Sequence, residues 1–316
     1  VIAKLGIADL LADEPKSSAW LANELELDPT QLHRILLGCV NAGLLRETES
    51  GHFATTPATK LLESNRPDSL LDNAILTGEV WYMAWQHLLD GVQNPKHIPF
   101  ELAFNTDFYT HLTQNSDLGT HFNQFMQSAM VQSAQAFVNN YDISNARVVV
   151  DIGGGNGTLL EAVLKKYTHL NAMLYDRPDV VQEAEQRLAD ENLGNRCQYV
   201  GGDFTESIPS GADVYILSRV LHNWSDEYSV QILRKCYAAM QPGAKLLILE
   251  QVLPPKLQAA MPVIKVDLWM MVMFQGKERT QADYQLLLSS AGFDVTNSQL
   301  IVNESNLMVI EAQKPS

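Results

Sequence analysis

Positive charge, cysteine and long apolar runs are all scarce in this chain, and each shortage removes a class of function. Lys and Arg number 22 against 37 Asp and Glu, a formal net charge of −15. Binding a phosphate backbone needs clustered cations, so this balance argues against a nucleic-acid partner. Three cysteines, Cys39, Cys197 and Cys236, stand far apart in 316 residues. Such spacing gives neither a zinc motif nor a disulfide framework, so reduced thiols in a cytoplasmic protein are expected. The apolar run 263–274 is interrupted by Lys265 and Asp267. It is too short to span a bilayer, and no signal peptide is visible. No metal-ligand cluster stands out along the chain, and repeats and low-complexity tracts are missing too. An apolar content of 46% is ordinary for a globular protein. The length fits two domains or one large one.

The most informative stretch is VVVDIGGGNG at 148–157. It reads as a buried strand that ends on Asp151 and turns through Gly153, Gly155 and Gly157 into a helix beginning near Leu159. Glycines there let backbone approach a ligand where a Cβ would collide. A dinucleotide fingerprint starting at Gly153 would need glycine at 158, and Thr158 is there. The acidic opening, D-x-G-x-G-x-G, instead resembles the first motif of class I methyltransferases that use S-adenosylmethionine.

A series of strands supports this. Ala172 to Tyr175 ends on Asp176, placed to accept hydrogen bonds from ribose hydroxyls. Gln198 to Val200 runs into Gly201-Gly202-Asp203-Phe204. Asp203 there suits an adenine amino group and Phe204 the ring, or the two are a turn aspartate and a core phenylalanine. Asp213 to Val220 reads as the fourth strand, with His222 beyond it. Lys245 to Leu249 reads as the fifth, followed by Glu250. Asp151, Asp176, Asp203, His222 and Glu250 thus fall at the carboxyl ends of successive strands, on the rim where open α/β sheets bind ligands. Glu278, in a later loop, is either a second acid for His222 or a charge at a helix N-terminus. The helix 281–291 and strands 295–300 and 307–312 close the chain as an antiparallel edge hairpin.

Residues 1–60 read as a winged helix. Its elements are a helix over 2–11, one capped by Ser18 through Leu25, and one capped by Asp28-Pro29 with Leu32, Ile35, Leu36 and Val40 on one face. A hairpin then turns across 49–51. A winged helix raises a rival function, a ligand-sensing DNA regulator. The would-be recognition helix offers only His33 and Arg34, which favours dimerisation.

Taken together, VVVDIGGGNG, LYDRPDVV at 174–181, GGDF at 201–204, LHNWSDE at 221–227, LLILEQVLP at 246–254 and GKERT at 276–280 resemble the small-molecule O-methyltransferase family that includes the caffeic acid and acetylserotonin enzymes. The likeness covers nearly the whole chain. It implies a Rossmann-like, doubly wound, mostly parallel seven-stranded α/β sheet with an antiparallel edge hairpin over 143–316. Ahead of it are expected an N-terminal winged-helix dimerisation domain (1–60) and a helical acceptor-pocket segment (61–142). It implies S-adenosylmethionine as cofactor, S-adenosylhomocysteine as product, no metal, a homodimer and a small aromatic acceptor, phenolic or quinone-like. His222 matches the catalytic base, and Glu250 and Glu278 its flanking acids. Asp151, Gly153, Gly155, Asp176, Asp203, Phe204 and Ser218 fall at cofactor contacts. Phe122, Met126, Met130, Trp269, Met270 and Met273 are candidate pocket lining, since thioethers and aromatics suit a flat ring. Two departures stand out. Asn223 replaces the usual aspartate after the histidine, and Ser218 stands where plant members often carry lysine. The resemblance also implies a segment ahead of Val1. Transfer to nitrogen or carbon is the alternative chemistry on this scaffold.

Overall fold

The computed structural model describes residues 1–66, 68–256 and 262–315. The chain divides into two compact units, Val1–Met83 with Leu112–Ser128, and Ala84–His111 with Ala129–Ser316.

In the first unit, helices Ser18–Glu24 and Pro29–Asn41 pack with a small antiparallel sheet of β1 (Lys16–Ser17), β2 (Leu45–Glu49) and β3 (His52–Thr55), ordered β1-β3-β2. Ile7, Leu21, Leu32, Leu36, Leu45 and Phe53 form its core. Two local expectations shift. The helix expected over 2–11 is confined to Ile7–Leu10, because the backbone turns left-handed at Gly6 (φ 62). The cap of the next helix is Ser17, whose hydroxyl accepts from the Trp20 amide; Ser18 meets Nδ1 of His33 at 3.1 Å instead. Asp28 caps as expected, accepting from the Gln31 amide at 2.8 Å. Strand β1, two residues long, has no periodicity to read.

In the second unit the strands are β4 (Val148–Ile152), β5 (Asn171–Asp176), β6 (Cys197–Gly201), β7 (Val214–Ser218), β8 (Lys245–Leu253), β9 (Arg279–Thr280), β10 (Asp294–Val302) and β11 (Leu307–Gln313). The sheet runs β10-β11-β8-β7-β4-β5-β6, with β9 added beside β8. Pairing is parallel from β6 to β8 and antiparallel through β11 and β10. This is the doubly wound sheet with an edge hairpin that the motifs imply. Alternate residues feed two cores. Val149, Leu174, Ile216 and Leu247 belong to one, and Val150, Tyr175, Tyr215 and Ile248 to the other. That period-2 alternation is what a sheet covered by helices on both faces requires.

Strand order fixes where a ligand can sit. The chain winds outward from β4 through β5 and β6, then returns to β7 and winds the other way through β8. The reversal between β4 and β7 opens a crevice at their carboxyl ends, the preferred ligand position in such sheets.

Candidate active site

At the end of β4 the glycine loop is drawn over the sheet. The amide of Gly153 donates to the Tyr175 carbonyl at 2.8 Å, and that of Gly155 to Oδ2 of Asp176 at 2.8 Å. Gly153 has φ +71, and a Cβ there would lie 2.8 Å from Cγ2 of Val220. The loop therefore touches the segment leaving β7 across the crevice. Gly155, at φ +55, has open space where its Cβ would be. Asp176 accepts a second amide, that of Arg177, on Oδ1 at 2.7 Å. Burial still lifts its carboxyl above the usual range. Asp151 is more extreme: both oxygens are buried without a hydrogen-bond partner. Burial and the nearby Asp176 charge push it up to about 7.

The fit to S-adenosylmethionine follows from these groups. A crevice floored by open glycine backbone, a half-satisfied Asp176 suited to a ribose diol and an orphaned Asp151 together want hydrogen-bond donors. Cationic and hydroxyl groups on a nucleoside ligand supply them.

On the other lip, β7 ends at Ser218 rather than running to Val220, because Arg219 adopts a left-handed backbone (φ 58). A single 3-10 turn, Leu221–Asn223, then turns His222 inward, 4% exposed. Its Nδ1 meets Oε1 of Glu278 at 2.8 Å and lies 3.9 Å from Oε2 of Glu250. Its backbone amide donates to Oε1 of Glu250 at 3.4 Å. Glu250 does not follow β8 but lies within it, opposite Met308 of β11 and one residue past the parallel pair Ser218–Leu249. Burial raises its carboxyl, against the pull of His222 and Arg219. Glu278 is 2% exposed and is no helix-terminal charge.

His222, Glu250 and Glu278 bring their donor atoms within 4.8 Å, a grouping with the composition of a cation site that spacing along the chain does not reveal. Here the cluster already has its cation. Nη1 of Arg219 lies 3.5 Å from the same Glu278 oxygen that faces Nδ1.

The loop carrying Glu278 is braced from three sides. Asp267 accepts the Glu278 amide at 2.8 Å. The fully buried Arg279 donates to the carbonyls of Leu221 at 2.8 Å and Trp224 at 2.7 Å, and pairs with Asp226. Gly276 passes so close to the histidine turn that a Cβ would sit 1.9 Å from the His222 carbonyl oxygen. Gly276 and Arg279 stood in the GKERT signature without an assigned role. Arg219 gave no signal beyond its place between Ser218 and His222.

The remaining predicted residues are more dispersed. Ser218 is buried, its hydroxyl 3.8 Å from the sulfur of Met130. Phe204 sets its ring edge against Trp224 at 6.0 Å and faces Gly153. Asp203 is exposed and holds its own turn through the Thr205 amide and hydroxyl. Met270 and Met273 are buried on helix Pro262–Met273, and Trp269 carries Lys265 over its ring. Phe122 and Met126 belong to the first unit and Met130 to the second. All three are half-buried. Among the described residues no helix is long and apolar enough to cross a membrane.

Comparison with known proteins gives this geometry its family. Residues 85–294 match the O-methyltransferase domain and residues 1–65 the O-methyltransferase dimerisation domain. A phenazine O-methyltransferase of Lysobacter antibioticus is 39% identical over 99% of this chain and 91% of its own. Its crystal structure superposes with a TM-score of 0.91, covering 99% and 93% of the two chains. An 8-amino-8-demethylriboflavin N,N-dimethyltransferase of Streptomyces davaonensis is 33% identical over 93% of this chain and 85% of its own. An O-methyltransferase of neocarzinostatin biosynthesis, solved with S-adenosylmethionine and 2-hydroxy-5-methyl naphthoic acid, is 27% identical with a TM-score of 0.88, covering 99% and 94%. This chain belongs to the O-methyltransferase family and is an S-adenosylmethionine-dependent methyltransferase of small molecules.

Proposed function

We propose that this enzyme methylates a hydroxyl of a small aromatic acceptor, phenolic or quinone-like, with His222 as general base. The observation that carries the reading is the bond between Nδ1 of His222 and Glu278. It commits Nδ1 to a carboxylate, so that ring nitrogen carries the proton and Nε2 is left as acceptor.

When bound, S-adenosylmethionine supplies an electrophilic methyl on a sulfonium. The chain's own task is to deliver a nucleophilic oxygen. A phenol of pKa about 10 is only about 0.1% ionised at neutral pH. A base that takes its proton recovers up to roughly 10³ in rate, about 4 kcal/mol. As Nε2 takes the proton, imidazolium forms beside two buried carboxylates. Glu278 keeps the ring in orientation throughout, and the buried setting excludes water that would compete for the base.

Asp176 is assigned to the cofactor ribose, Asp151 to a cationic donor of the cofactor, and the 153–155 loop to close backbone approach. Asp203 and Phe204 are assigned to the adenine, Ser218 to the cofactor and Met130 to the acceptor pocket. Phe122, Met126, Trp269, Met270 and Met273 are assigned to acceptor lining. The division of labour is 1–60 for homodimerisation, 61–142 for the acceptor segment and 143–316 for catalysis. Phenazine, hydroxybenzoate and naphthoate acceptors in related enzymes support a flat aromatic class. The three free cysteines fit a reducing cytoplasm.

The test is incubation with methyl-labelled S-adenosylmethionine and a panel of hydroxylated phenazines, benzoates and naphthoates, beside matched amino analogues. Label on oxygen is expected. Transfer to the amino analogues alone would replace this reading with N-methylation, the activity of the related riboflavin-type enzyme.

A further inference from the structure

Two carboxylates, Glu250 and Glu278, are buried against a single imidazole. Uncompensated carboxylates beside an imidazole favour its protonated form, which cannot accept a proton. Arg219 is the group that changes this balance. Its Nη1 lies 3.5 Å from Oε1 of Glu278, the oxygen that also faces Nδ1 of His222 at 2.8 Å. That nitrogen is buried and makes no hydrogen bond, so its link to Glu278 is one of charge. Its main chain is fixed on both sides: its amide donates to the Leu249 carbonyl at 3.1 Å, beside Glu250, and its carbonyl accepts from Nδ2 of Asn223 at 3.3 Å. The residue holds φ 58, a conformation unfavourable for an L-residue that persists only where surroundings impose it.

We propose that Arg219 is a positioning residue for the reaction: its guanidinium offsets one of the two carboxylates flanking His222 and so sets the charge around the ring that takes the acceptor's proton. This rests on the general-base reading above. The other charged and titratable groups packed around the cluster do not substitute for it. Arg279 is engaged with the Leu221 and Trp224 carbonyls and with Asp226. Asp267, on helix Pro262–Met273, adds negative charge next to Glu278. Tyr284, on the helix after β9, is a buried neutral phenol beside both carboxylates. Asn223 contributes no charge.

The experiment is kcat/KM against pH for wild type, Arg219→Gln and Arg219→Lys, using a phenol of pKa about 10, so that the acceptor does not titrate near neutrality. Arg219→Gln is expected to move the acid limb up by about one unit, a tenfold loss on the limb that disappears above pH 9. Arg219→Lys should keep the limb within about 0.3 unit, and cofactor affinity by calorimetry should hold in both. An equal loss at every pH, or an unmoved limb in Arg219→Gln, would overturn the assignment. If that variant does not fold, Arg219→Lys decides alone: a limb displaced by a unit despite the retained charge rejects it. A wild-type profile without an acid limb would overturn the base itself, and Arg219's role with it.

Discussion

The two lips of the crevice are built on opposite principles. Around His222 the elements brace one another: Glu278 bonds the ring, Glu250 the turn's backbone, Arg279 two carbonyls and Asp267 an amide, while Oε2 of each glutamate and Nη1 of Arg219 stay without a hydrogen bond. Around the glycine loop the carboxylates wait. Asp151 has no partner and Asp176 holds only two amides. On the proposed catalytic side the bonds are made within the protein, as electrostatic preorganisation of a base would require. The side that grips a ligand keeps its hydrogen-bonding capacity unspent and is stabilised when the ligand supplies donors.

The contrast can be broken from the catalytic side first. His222→Ala should lower kcat on a phenolic acceptor by about 10² or more. A rate within a few-fold of wild type at neutral pH would reject the base. Gly276→Ala comes next. Its Cβ falls 1.9 Å from the His222 carbonyl oxygen, so the Glu278 loop must move. Displacements of about 1 Å can cost on the order of 10²-fold in rate. Cofactor affinity should survive, and a variant with normal turnover would show that the bracing is dispensable.

On the ligand side, Asp176→Ala should weaken S-adenosylmethionine binding about tenfold to a hundredfold, the value of one or two hydrogen bonds to a charged group. Acceptor KM should change far less. Calorimetry showing unchanged cofactor affinity would remove Asp176 from the site.

Asp151→Asn is the mildest test and sharpens the comparison most. An unfolded aspartate titrates near 4, whereas Asp151 is pushed up to about 7. Between those values the unfolded chain releases this proton first, so stability falls as pH rises through the window and stays reduced above it. The ceiling is roughly 4 kcal/mol, and relaxation of the buried site should leave about 1–2. The ligand-free variant should therefore melt a few degrees higher than wild type at pH 8, with the gain shrinking toward pH 5. It should also bind cofactor more weakly. Equal melting shifts at both pH values would mean that Asp151 is already satisfied.

Much of this was legible beforehand because it is carried by local pattern. The β4–glycine loop–helix unit, the carboxyl-end acids and the closing hairpin follow from short apolar runs and turn residues. Where the chain departs from pattern, reading failed. Strand β7 reads as longer because Val220 takes up the apolar run Val214–Leu217 again beyond Ser218 and Arg219. Only the left-handed backbone at Arg219 stops it. Glu250 reads as a residue after a strand, yet antiparallel pairing to β11 carries β8 to Gln251 and parallel pairing to β9 carries it on to Leu253. Glu278 could not be told from a helix-terminal charge, since its partner lies 56 residues away. Nor does spacing show Arg219, whose significance is one distance across the fold.

That extension of β8 has an outcome for the last few residues of the sheet. Met308 of β11 pairs with Glu250 in the ladder, so an acid beside His222 is held by the closing hairpin. Proteolytic loss of that hairpin, or a fusion that tugs it out of register, is expected to displace Glu250 from His222 without touching the glycine loop.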